Sequence, residues 1–114
     1  MSTLKKEDTN RLPRYQDFSV QTAFDRMIFE DLDIVDDPYL VSLATELING
    51  NPLVINFENL NVDEANKVIS FLSGVIFAIN GKIEKINKRI FLFARIQEFK
   101  DGTLKQFIAD YKVI

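Results

Sequence analysis

Residues 66–93, NKVISFLSGVIFAINGKIEKINKRIFLF, decide the fold. The first half carries Val68, Ile69, Leu72, Val75, Ile76 and Ile79 at helical spacing and closes on Asn80-Gly81, a pair suited to the left-handed backbone of a helix end. The second half opens two strand-like runs, 82–86 and 89–96, joined at a polar turn. With an odd loop such as Asn87-Lys88-Arg89, Ile86 faces Ile90, Lys85 faces Phe91 and Ile83 faces Phe93. An even loop would place Lys85 and Phe91 on opposite faces of the sheet. The odd register separates apolar from polar groups better, although the turn sequence by itself admits both.

Working outward, Asn61 is the N-cap expected for the central helix, with Glu64 in capping-box spacing and Asp63 near the positive dipole end. The helix is predicted to run to about residue 80. With Ala65 added, its apolar residues cover more than one narrow stripe, which predicts more than one buried face. Gly74 in the interior costs about 1 kcal/mol relative to alanine, so something is expected to pack close to it. Ser73, Gly74, Ala78 and Gly81 leave a shallow side on which another backbone, of the same chain or of a second subunit, can approach.

Upstream, Asp37 before Pro38 reads as an N-cap followed by proline at the first helical position. That helix is predicted over 38–48, with the stripe Leu40, Leu43, Ala44 and Leu47 and an end at Asn49-Gly50. Residues 52–57 read as a short, mostly buried strand. Residues 23–32 suit a strand, while Val20, Phe24, Met27 and Ile28 also fit helical spacing. Residues 1–20, with mixed charges, Pro13 and few large apolar groups, read as a flexible arm ahead of one domain over 21–114. After Asp101-Gly102, the spacing of Leu104, Phe107, Ile108 and Tyr111 predicts a short amphipathic helix that closes the sheet or lies against a second subunit. The order implies an α+β fold: a two-layer α/β sandwich with helices on a mainly antiparallel or mixed sheet.

The 114-residue chain contains neither cysteine nor histidine, which removes disulfides, thiolate chemistry, the usual catalytic triads and zinc sites. A net charge of −3 argues against nucleic-acid binding by bulk electrostatics. No apolar run reaches the roughly 20 residues of a membrane span, so a cytoplasmic protein is expected. Glu30, Asp31, Asp33, Asp36 and Asp37 lack the spacing and central glycine of a calcium loop and read as a solvated acidic turn, without a metal. No cofactor is expected and an enzyme is disfavoured. Residues 82–100 hold six basic residues against two acidic ones, beside Phe91 and Phe93. Such a surface suits a peptide offering apolar anchors and carboxylates. Alternatively the phenylalanines fill the core; that reading is favoured for Phe93, and the two are comparable for Phe91.

The segments Phe71-Leu72-Ser73-Gly74, Phe77-Ala78, Gly81 and Ile90-Phe91-Leu92 together resemble the SepF family, and weaker similarity extends back through Asn51-Pro52-Leu53-Val54-Ile55-Asn56 to about Met27. The resemblance favours a strand within residues 23–32. It implies a homodimer, or a higher oligomer, that binds the C-terminal tail of the division protein FtsZ and helps organise its filaments at the division septum. On this resemblance Lys85 and Phe91 match the family's partner-contacting pair, and Gly74, Ala78 and Gly81 match its small-residue packing pattern. The chain departs from the pattern at Lys67, Ser70 and Arg95, where relatives commonly carry Arg, Asp and Pro. Many family members also have a basic amphipathic membrane helix at the N-terminus. Here MSTLKKEDTN offers only Leu4 beyond Met1, so membrane association is expected to be weak or indirect. The alternative is a domain on a similar scaffold that senses a small molecule or divalent metal.

Overall fold

Leu53, Val54 and Ile55 are consecutive and all buried, as are Leu92, Phe93 and Ala94, so the two strands holding them must be covered on both faces. The computed structural model, which describes residues 21–113, provides that cover. The elements are β1 (Ile28–Asp31), α1 (Asp37–Ile48), β2 (Leu53–Asn56), α2 (Val62–Ala78), β3 (Gly81–Lys85), β4 (Ile90–Arg95), a 3-10 turn (Ile96–Phe99) and α3 (Thr103–Val113). The sheet order is β1-β2-β4-β3; β1 and β2 are parallel and the other pairings antiparallel, making the sheet mixed. Leu40, Leu43 and Leu47 of α1 and Val68, Leu72 and Ile76 of α2 pack on Leu53, Ile55 and Phe93. On the opposite face Leu104 of α3, with Ala23 and Phe99, joins Val54, Leu92 and Ala94. The α+β fold with helices on a mixed sheet is therefore as expected, but the terminal helix covers the face opposite α1 and α2, so the sheet of this chain is closed on both sides rather than in two layers. The arm assigned to residues 1–20 lies outside the described residues.

Local chemistry accounts for the element ends. Asn61 caps α2 in a full capping box: its side chain accepts from Glu64 N at 2.8 Å, and Glu64 accepts from Asn61 N at 3.3 Å. For α1 the cap is Asp36, not Asp37. The Asp36 backbone is extended and its carboxylate accepts from Tyr39 N at 2.9 Å, leaving Asp37 as the first helical residue. Gly50 ends α1 with φ of +93°; a Cβ there would lie 2.5 Å from Arg95 Nη2. Residues 23–26 form a turn, so the strand is confined to Ile28–Asp31 and no helix spans Phe24 to Ile28. The second hairpin strand stops at Arg95, and Ile96 enters a 3-10 turn that the sequence reading did not anticipate.

The apolar residues of α2 form one broad stripe on the core rather than two buried faces. Val68, Leu72 and Ile76 are buried, with Ala65, Ile69, Val75 and Ile79 partly so. The expectation of a second buried face is not met among the described residues, where the sheet and α1 are what approach this helix.

A charged latch ties the segments around β4. Buried Glu98 accepts from Arg26 Nη2 at 2.6 Å and from Arg95 Nη2 at 2.5 Å and Nε at 3.0 Å. Arg26 also donates to the Gly50 carbonyl, and Arg95 reaches the Ile48 carbonyl at 3.5 Å. Burial pushes the Glu98 carboxyl up, but hydrogen bonds from both guanidiniums and their charges outweigh it and hold the group below its ordinary value. Arg95 itself takes φ of −66°, the angle a proline would impose.

Candidate functional site

The hairpin register aligns Lys85 with Phe91 and Ile83 with Phe93, as expected from the odd loop. Residues directly opposite on antiparallel strands lie about 4.5–5.5 Å apart at Cα and point to the same face, so an exposed ammonium-bearing chain stands beside an aromatic ring. Phe93 is fully buried in the core. Phe91 is only partly buried: its ring meets Phe57 edge-on at 5.6 Å and Phe93 at 6.5 Å. The rest of it lines a groove of about 260 Å³.

Three separate segments build that groove. Phe57 and Leu60 come from the loop after β2, Val62, Ala65, Asn66 and Ile69 from the first two turns of α2, and Lys88 and Arg89 from the hairpin turn. The segments are held together by the Phe57 N–H donating to the Arg89 carbonyl at 2.8 Å. Leu60 and Ala65 flank the Asn61 cap at hydrophobic-staple spacing, which fixes the entry of the chain into α2. That spacing was a legible signal; its meeting with the hairpin turn was not.

The basic run of residues 82–100 does not act as one patch. Lys82 pairs with Glu84 at 2.8 Å and sits 5.1 Å over the Phe99 ring, while Arg95 is committed to Glu98. Lys85, Lys88 and Arg89 make no ion pair with any described residue. With Lys100 these are the cations of the run that have no ion-pair partner among the described residues, and three of the four lie at or beside the hairpin turn near Phe91.

The small residues divide. At Gly81 a Cβ would lie 2.8 Å from both the Ala94 carbonyl and Ile76 Cδ1, so here glycine serves a close approach within the chain. A Cβ at Gly74 would meet nothing within 4 Å, and Ala78 is exposed. On the same side Phe77 is 88% exposed and Phe71 38%. The outer side of α2 is thus an open apolar surface with shallow relief.

The acidic residues Glu30, Asp31, Asp33 and Asp36 border a second cavity of about 400 Å³, together with Tyr39. The Tyr39 hydroxyl donates to Glu30. Burial, that bond and the charges of Glu30 and Asp33 push the phenol up to about 12. Among the described residues no group of three or more acidic side chains is arranged to hold a metal ion. No described helix is long and apolar enough to cross a membrane.

The fold and these surfaces define a small α+β domain that carries, among its exposed apolar groups, a basic-rimmed groove and one open helix face. Residues 39–94 match the family model for cell division protein SepF, and the chain carries a SepF domain, as the sequence pattern implied. Cell division protein SepF of Lacticaseibacillus casei is 37% identical over 79 residues, covering 66% of this chain and 52% of that protein. The SepF protein of Lactiplantibacillus plantarum is 38% identical over 66 residues, covering 57% and 47%. The chain spans about half the length of the curated relatives it matches. Among solved structures, a SepF-like protein from Archaeoglobus fulgidus superposes with a TM-score of 0.50 over 59% of this chain and 83% of that one; at 13% identity it supports the fold.

Proposed function

We propose that this domain is a non-enzymatic cell-division adaptor that self-associates as a homodimer and captures the C-terminal tail of FtsZ at the division septum. The observation that carries the reading is the pairing of Lys85 with Phe91 across β3 and β4 in a SepF domain. An apolar ring inserts against a tail side chain while the neighbouring ammonium attracts tail carboxylates. Two tail sites in one dimer raise effective affinity for neighbouring filament subunits without either contact being tight.

The open side of α2 supports self-association. Burying a phenylalanine as exposed as Phe77 is worth about 1.5–3 kcal/mol, and Gly74 and Ala78 allow a second helix to come close. Membrane attachment in this scheme is weak or indirect.

The test is titration of a labelled FtsZ tail peptide into the purified protein. Phe91→Ala should weaken binding by about 2 kcal/mol, roughly thirtyfold, as for a central aromatic anchor, and Lys85→Glu should weaken it too. A folded wild-type protein with no saturable binding would send the search to another partner.

A further inference from the structure

We infer that an aromatic shelf on the α3 side of the sheet is the docking site for this chain's own residues 11–18, RLPRYQDF, with Tyr15 and Phe18 as the anchors. The shelf centres on Phe107 of α3, whose ring lies 6.1 Å from that of Phe24, 6.0 Å from that of Phe29 and 5.8 Å from that of Tyr111. Phe24 is 48% exposed and Phe29 60%, and neither belongs to the packed core. Phe24 stands in the turn before β1, which polar residues suit as well, and Phe29 stands on the edge strand of the sheet, where charged residues are the usual protection. Their rings therefore serve neither the local backbone nor the core. The shelf is preformed, because the Ala23 N–H donates to the Asp101 carboxylate at 2.9 Å and the Phe24 N–H to the Thr103 hydroxyl at 3.1 Å, which pins the turn to the start of α3. A cavity of about 390 Å³ lies beside Phe24 and Phe107, and one of about 210 Å³ beside Phe29 and Tyr111.

Position, spacing and charge select the occupant. Thr22 lines the larger cavity, so the residues before it enter at the rim of the shelf. Phe18 and Tyr15 stand four and seven residues before Thr22, an extended reach of about 14 and 24 Å. Leu12, Tyr15 and Phe18 recur at every third residue beside Pro13, which aligns all three on one side of a polyproline-II chain, the form that docks on aromatic-lined grooves. The charged residues lining the two cavities are Asp110, Glu30 and Asp31, with no lysine or arginine among the described lining residues, and Arg11 and Arg14 offer the complementary charge. The short tether supplies an effective concentration of roughly 1 mM, so even a contact of about 0.1 mM affinity is populated about tenfold over release. Because α3 lies opposite α1 and α2, docking here leaves the open side of α2 uncovered.

The experiment measures amide hydrogen exchange on the full chain for wild type, Phe24→Ser, Phe29→Ser and the double variant Tyr15→Ser/Phe18→Ser, with the aromatic-ring resonances of the shelf recorded in parallel. Exchange of the α2 amides checks that each variant is folded. The expected result is that residues 12–18 exchange about tenfold more slowly in wild type than in Phe24→Ser or Phe29→Ser, with α2 unchanged. In the double variant the ring resonances of Phe24, Phe29 and Phe107 shift, a readout that does not depend on any substitution within the domain. Wild-type exchange of residues 12–18 at the rate of a free peptide would overturn the proposal, as would equal protection in both shelf variants together with unshifted rings in the double variant. Protection that disappears on dilution would mean that a second copy's segment fills the shelf, which overturns docking within one chain.

Discussion

Replacing Glu98 with glutamine tests whether the latch around β4 holds the hairpin on the rest of the domain. The substitution keeps the side-chain shape but removes the charge and turns one acceptor into a donor facing a guanidinium. Glu98 is buried and receives three hydrogen bonds of 2.5–3.0 Å, while each arginine side chain is 27% exposed. Hydrogen bonds to charged groups contribute about 1.5–3 kcal/mol each, and removing one partner of a buried pair typically costs about 3–5 kcal/mol. Partial exposure lets water recover some of this loss for the arginines, so Glu98→Gln should cost about 2–4 kcal/mol. For a domain of this size that is a fall in Tm of about 10–25 °C. The assay is thermal and urea unfolding at fixed protomer concentration, since self-association would otherwise shift the midpoint. The pH dependence gives an independent reading. Because the folded Glu98 carboxyl lies below its ordinary value, its contribution is present above the unfolded carboxyl's pKa near 4.5 and is lost as pH falls through the depressed folded value. The variant should therefore lose part of the wild type's acid sensitivity below about pH 4.5. A stability change under about 0.5 kcal/mol, with an unaltered acid limb, would refute the latch.

Two further outcomes follow from the open helix face and from the tyrosine. At a dilution where both proteins are monomeric, Gly74→Lys should melt at the same temperature or slightly higher, because its Cβ meets nothing and lysine is the better helix former, while at higher concentration sedimentation or light scattering shows weakened self-association. Normal assembly would count against α2 as the subunit surface. Difference absorbance between wild type and Tyr39→Phe should place the Tyr39 phenol near 12. Its folded value is raised, so the associated stability is full below pH 10 and is lost as pH rises towards 12. A midpoint near 10 would show that Glu30 and the burial around it do not act on this hydroxyl.

The capping box at Asn61, the end of α1 at Asn49-Gly50 and the apolar positions of α2, though not how many of its faces are buried, were legible in the chain because they depend on residues within a turn or two of one another. The Lys85 and Phe91 register was favoured in the chain, since an odd loop separates apolar from polar groups better on those strands, but the turn sequence admitted both and the folded hairpin made the choice. Asp36 and Asp37 were indistinguishable as caps, being adjacent and chemically identical; the extended backbone at Asp36 made the choice. Tertiary structure alone decided what depends on distant segments. It brought Arg26 and Arg95 to Glu98, which divided the basic run and left Lys85, Lys88 and Arg89 without an ion pair to any described residue. It joined the loop after β2, the start of α2 and the hairpin turn into one groove. It also separated Gly81, pressed against Ala94, from Gly74, which faces open space, although both are glycines in the same small-residue pattern. Periodicity and caps report which side of an element is apolar, but which neighbour covers that side, and which charges cancel, is settled only when the sheet brings remote residues within bonding distance.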